Sequence, residues 1–157
     1  MPGLNGVGEM DILNSTNEIA KFFPKLLKDT YSLTSPKTTE YNCIAWAAGE
    51  NEQWWWPDSN DICYWPSEIP RVETLEAFIN AFEKLGYSVC DNEKFENSFE
   101  KVAIYAINKK PTHAARQLPS GRWTSKLGCL EDIEHMTLDD LNGDKYGSVT
   151  LILKRHL

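Results

Sequence analysis

The apolar pattern of this chain changes its period after residue 87. Over Val72–Tyr87, "VETLEAFINAFEKLGY", Leu75, Phe78, Ile79, Phe82 and Leu85 recur as one helical stripe that stops at Gly86. Beyond it the chain reads as strands: "KVAIYAIN" (101–108), "HAARQL" (113–118), "RWTSKL" (122–127) and "YGSVTLILKR" (146–155). Helices followed by a run of strands predict an α+β fold, with N-terminal helices packed on an antiparallel sheet, and exclude a doubly wound nucleotide-binding architecture.

The upstream elements are consistent with that order. "NSTNEIAKFFPKLLKDT" (14–30) offers Ser15 or Thr16 as a cap and places Ile19, Phe22, Phe23, Leu26 and Leu27 at helical spacing, with Pro24 kinking or restarting the helix. The polar stretch "TSPKTTEYN" (34–42) is irregular and delivers the chain to "CIAWAAGE", a short buried helix. "CLEDIEHMTLDDLNGD" (129–144) reads as a loop with a short helix. Residues 1–13, opening "MPGLNGVG", read as a flexible tail, and 14–157 as a single domain.

Sixteen Lys and Arg against 23 Asp and Glu give a formal net charge of -7, which argues against a nucleic-acid binder held by phosphate neutralisation. No apolar run approaches the roughly 18 residues that span a bilayer, so no membrane partner is expected. The four cysteines lie far apart without a C-x-x-C pair, which predicts reduced thiols in a cytoplasmic protein, with no metal centre and no cofactor.

Two residues carry chemistry. Cys43 stands where a polar loop meets a helix, a position whose free N–H groups favour a thiolate; it reads either as a nucleophile or as a small buried residue. His113 opens a predicted strand, so its ring is expected at the sheet rim, as a general base or as a structural imidazole. If "HAARQLPSGRWTSKL" is a hairpin with Leu118 opposite Arg122, two faces separate. One carries His113, Ala115, Gln117, Trp123, Ser125 and Leu127; the other carries Arg116, Arg122, Thr124 and Lys126 and is expected to be solvated. Ser125 or Gln117 is then placed to orient the imidazole, with Asp132, Glu134 and His135 of "EDIEH" as further possibilities.

The order and context of these residues resemble the papain-like cysteine hydrolases in the wide sense that includes the NlpC/P60 and CHAP peptidases and amidases. The matching positions are Cys43 in "YNCIAWAAG", His113 in "THAARQL" and Ser125 in "RWTSKLG". "YNCIAWAAG", "WWWP", "THAARQL", "GRWTSKLG", "DIEH" and "YG" also look like the signatures of a family of bacterial domains of unknown function. The wider resemblance implies a Cys43 nucleophile, a His113 base and a Ser125 third member acting on an amide of a peptide or protein substrate. No Gln lies six residues before the cysteine, which leaves Asn42 as the candidate for the oxyanion.

The loop "WWWPDSNDICYWP" either caps the core or lines a cleft beside Cys43. Three consecutive tryptophans cannot all point inward from an extended chain, so at least one should face a groove. Gln117, Trp55, Trp56, Trp123, Lys126 and His135 join Asn42 as candidates for binding the oxyanion or the substrate. The rival expectation is an inactive papain-like binding domain that holds a protein partner with the tryptophan loop and the basic face of the hairpin, Arg116, Arg122 and Lys126.

Overall fold

The computed structural model describes the backbone from residue 9 and side chains from residue 12. Most of the expected tail, residues 1–8, lies outside the described residues; residues 9–13 belong to helix α1, Glu9–Phe22. That helix therefore begins upstream of Ser15 and Thr16, which are not its caps. It ends at Phe22 because Pro24 disfavours helical backbone in the residue before it. Ile19, Phe23 and Leu26 are buried, whereas Leu27 is exposed.

Ten elements follow or precede the candidate residues in an α+β order with a short 3-10 turn at Leu138–Leu141. These are β1 (Tyr31–Ser35), α2 (Cys43–Ala47), α3 (Leu75–Glu83), β2 (Ser88–Cys90), β3 (Phe99–Ile107), β4 (Lys110–Gln117), β5 (Trp123–Lys126), β6 (Asp132–His135) and β7 (Ser148–His156), besides α1. The strands form one seven-stranded sheet in the order β1-β6-β5-β4-β3-β7-β2, and every ladder is antiparallel. β1, β2 and β6 have no counterpart in the sequence reading. All three are short, and each owes its strand conformation to pairing with a sheet already present.

α3 forms where its stripe predicts. Thr74 caps it by accepting from the Ala77 amide, Phe78 and Phe82 are fully buried, and Gly86 takes the left-handed backbone (φ 95°) that ends the run. Each buried phenylalanine contributes about 2–3 kcal/mol of apolar burial.

Two cores lie on opposite faces of the sheet. On one, α2, α3 and the Trp55–Trp65 loop pack over Val102, Ile104, Ala114 and Leu153. On the other, α1 residues and the 3-10 turn pack over Ala103, Tyr105, Ala115, Trp123 and Ile133. The alternation of side chains along β3 and β4 assigns even positions to the first core and odd positions to the second.

Candidate active site

The hairpin register expected from the sequence is present: Arg116 pairs with Thr124, Gln117 with Trp123, and the Leu118 amide donates to the Arg122 carbonyl at 2.8 Å. The two sets of side chains separate as predicted, but the face expected to be solvated is covered. α2 lies on it: Trp46 Nε1 donates to Thr124 Oγ1 at 2.9 Å, the Arg116 guanidinium lies over the Trp46 ring, and Lys126 is fully buried. Lys126 donates to the Gly128 and Leu130 carbonyls and lies over the Tyr41 ring. A basic surface built from Arg116, Arg122 and Lys126 therefore does not exist in this fold.

His113 is not at the rim either. β4 begins at Lys110, and the imidazole is fully buried on the face opposite α2. Its ring lies edge-on to Tyr105 and flat against Tyr146. A β-bulge sits beside it: Tyr105 pairs with His113 and Ala106 with Pro111, which leaves Thr112 as the extra residue.

Cys43 begins α2 on the other face. Asn42 caps the helix with its side chain, Oδ1 accepting from Ala45 N at 3.2 Å and from Trp55 N at 3.0 Å, while Nδ2 donates to the Trp55 carbonyl at 2.8 Å. Oδ1 and one Nδ2 hydrogen are thus committed to the scaffold, and the second Nδ2 hydrogen is the one donor left on this side chain, which lines a cavity beside Cys43. The Cys43 thiol sits 3.9 Å from the Thr112 carbonyl, against the peptide that leads into His113. The β4–β5 ladder stops at Arg116 and Thr124, so β4 has no β5 partner alongside Thr112 and His113.

A cavity of about 320 Å³ occupies that gap. Asn42 and Cys43 line it from one face, Tyr146 from the other, and Thr112 and Gly128 from between. Trp54, Trp56 and Cys63 complete the lining. Trp54 and Trp56 share a side because the segment is extended, with Trp56 N bonded to Tyr64 O and Tyr64 N to Trp54 O. Trp55 points the other way into the core and donates to Glu50. The expectation that at least one tryptophan faces a groove is met by Trp54 and Trp56; Trp55 is a core residue.

A chain of hydrogen bonds fixes the state of His113. His135 Nδ1 lies 2.9 Å from the Thr137 carbonyl, which can only accept, so Nδ1 carries the proton. Burial holds His135 neutral, at a pKa of about 4, so its Nε2 is bare and accepts from the Ser125 hydroxyl at 2.8 Å. Ser125 Oγ in turn accepts from His113 Nε2 at 3.0 Å. Burial and the neighbouring His135 push His113 well below the usual imidazole value, so its Nδ1 holds a free lone pair. That atom is buried and finds no hydrogen-bond partner among the described residues.

The thiol is neutral as well. Burial pushes Cys43 up to about 11, outweighing the pull of the Ala114, Ile44 and Cys43 amides and of Lys126. The helix start does not make a resting thiolate here, because desolvation is the larger effect.

The remaining candidates lie elsewhere. Gln117 is buried near the hairpin turn, donating to the Glu93 and Gly121 carbonyls, and Trp123 is core. Asp132 receives the Tyr41 hydroxyl, and Glu134 pairs with Arg122. The residues that sequence reasoning missed are Thr112, Gly128, Tyr146 and Cys63. "YG" at 146–147 was the available signal: a Cβ at Gly147 would collide with the Ala106 carbonyl, and this close approach seats Tyr146 over His113.

Among the described residues no group of three or more His, Cys, Asp or Glu is placed to hold a metal ion, and no helix is long and apolar enough to cross a membrane. No curated protein and no solved structure matches this chain. Residues 32–154 match a family described as a domain of unknown function, DUF7689, and the chain belongs to that family.

Proposed function

We propose that this chain is a papain-like cysteine hydrolase or acyltransferase acting on amide bonds, with Cys43 as nucleophile and His113 as general base and acid. The observation that carries the reading is the tautomer of His113. Ser125, itself oriented by His135, takes the Nε2 proton and leaves a bare, unpartnered Nδ1 in the core. A buried lone pair without a donor costs about 1–3 kcal/mol, which a purely structural histidine has no reason to bear. Nδ1 is also the ring nitrogen nearer the main chain, and Cys43 Sγ lies against that main chain at Thr112.

The step follows from the neutral pair. As Cys43 Sγ bonds to the substrate carbonyl carbon, its proton passes to His113 Nδ1. The first-turn amides of Cys43 and Ile44, close enough to the sulfur to lower its pKa, are donors for the oxyanion, alongside the second Nδ2 hydrogen of Asn42. The imidazolium then gives the proton to the leaving nitrogen, the C–N bond breaks, and a thioester remains on Cys43. Water, deprotonated by His113, releases a carboxylate; an amine in its place gives transfer. Because neither partner is charged at rest, proton transfer accompanies attack.

The test is acylation by p-nitrophenyl acetate, followed by intact-mass and peptide-mass analysis. The expected result is one acetyl group on Cys43, absent in Cys43→Ala and slowed about 10²-fold or more in His113→Asn with the circular-dichroism spectrum retained. Acetylation spread over Cys63, Cys90 and Cys129, or a Cys43 rate indifferent to both His113→Asn and Ser125→Ala, would overturn the reading.

A further inference from the structure

The lining of the Cys43 cavity restricts what can be bonded to that sulfur. Among the described residues, no charged side chain lines it. Several of its polar groups are tied to the scaffold: Asn42 Oδ1 by Ala45 N and Trp55 N, the Thr112 hydroxyl by the Tyr146 carbonyl at 2.6 Å, and Trp54 Nε1 by the Thr39 carbonyl at 2.7 Å; the rest, among them the Tyr146 hydroxyl and the Cys63 thiol, are uncharged. A carboxylate or ammonium entering the cavity would lose its water and gain no opposite charge, a penalty of several kcal/mol. What the cavity does offer is aromatic surface. Trp54 and Trp56 reach it from alternate positions of one extended segment, and Tyr146 faces it from the opposite side of the sheet. Its volume, about 320 Å³, is at the small end of ligand pockets, suited to one bulky side chain and its flanking peptide.

We infer that the substrate is an amide whose acyl side carries an uncharged aromatic or branched aliphatic side chain, held between Trp54 and Trp56 while its carbonyl carbon meets Cys43. This rests on the nucleophile reading above and names the substrate class of that same site. Trp54 and Trp56 are the residues that determine specificity. The distinction is sharp for this chemistry, because amides with a glutamyl, aspartyl or lysyl acyl side are excluded.

The experiment compares Cys43 acylation rates for p-nitrophenyl esters of N-acetylphenylalanine, N-acetylleucine, N-acetylglycine, N-acetylglutamate and N-acetyllysine, read by intact mass. The phenylalanine and leucine esters should exceed the glutamate and lysine esters roughly tenfold or more. Trp54→Ala, at a partly exposed position, and Trp56→Leu should each narrow that ratio. Equal rates across the series, or a preference for the charged esters, with acylation still confined to Cys43 and dependent on His113, overturn the specificity and leave the nucleophile standing. No acylation of Cys43 by any ester overturns both.

Discussion

The ring of Tyr146 lies flat on the imidazole of His113, with centroids 4.0 Å apart and planes 9° from parallel. The same tyrosine packs against Phe23 and Tyr105 and lines the cavity that Cys43 enters. It is therefore a wall of the site and the lid that keeps His113 dry.

Tyr146→Ala should remove that stack and the core contacts together. The expected cost is about 3–5 kcal/mol in urea unfolding, with a matching fall in the rate of Cys43 acetylation. Tyr146→Phe keeps the ring and should cost no more than about 1.5 kcal/mol. Equal effects of the two substitutions would show that the hydroxyl, not the stacked ring, is what matters.

The buried imidazoles make stability depend on pH. In the unfolded chain both titrate near pH 6.5; in the folded chain His135 takes a proton only at about 4, and His113 well below its usual value, both chiefly through burial. The unfolded state thus binds more protons in this window. Stability is full above about pH 6.5 and falls as pH drops towards 4, with His135 alone accounting for about 3 kcal/mol. Asp132, whose carboxyl burial raises, works in the opposite sense at the acid end. Urea midpoints at pH 7 and pH 5 should differ in the wild type, and less so in His135→Asn. An identical pH dependence in the two proteins would refute this account.

Ser125 and His135 should behave as one unit. Removing either leaves a buried partner unsatisfied, so Ser125→Ala and His135→Ala should each cost about 1–3 kcal/mol, and the double variant less than their sum. A double-mutant cycle in urea measures the coupling; additivity within about 0.5 kcal/mol would mean the 2.8 Å contact contributes nothing. Both single variants should also slow Cys43 acetylation, because a freed Nε2 no longer holds the proton away from Nδ1.

Asn42 ties the start of α2 to the tryptophan loop through three hydrogen bonds. Asn42→Ala should destabilise the protein by about 2–4 kcal/mol and shift tryptophan fluorescence. Asn42→Asp keeps the two accepted bonds but turns a buried carboxylate oxygen onto the Trp55 carbonyl that Nδ2 now donates to, so it should destabilise the protein as well, and less at low pH where the carboxyl is protonated. If the alanine variant is neutral in stability but inactive, Asn42 acts on the substrate and not on the scaffold.

Much of this site was written in the chain. The capped stripe of α3, the helix beginning at Cys43 and the Leu118–Arg122 register all follow from local rules: helical spacing, turn chemistry and strand alternation. Strand alternation also put His113 with Ser125 and kept both apart from Thr124 and Lys126. What period two cannot say is which face a helix will cover, because that depends on contacts between segments distant in sequence. The lysine of "TSK" looks solvated in isolation; only the seating of α2 across the hairpin, with Trp46 on Thr124, buries it. Strand β6 could not be read either, since four residues of "DIEH" acquire their conformation from β1 and β5 on either side. That pairing carries His135 to Ser125, and the relay it completes fixes the proton on His113. The sequence determined which residues could do chemistry here. Burial on two faces of one sheet, a tertiary property, decided that the thiol and the imidazole rest neutral and that Cys43, Thr112 and Tyr146 line one cavity beside β4.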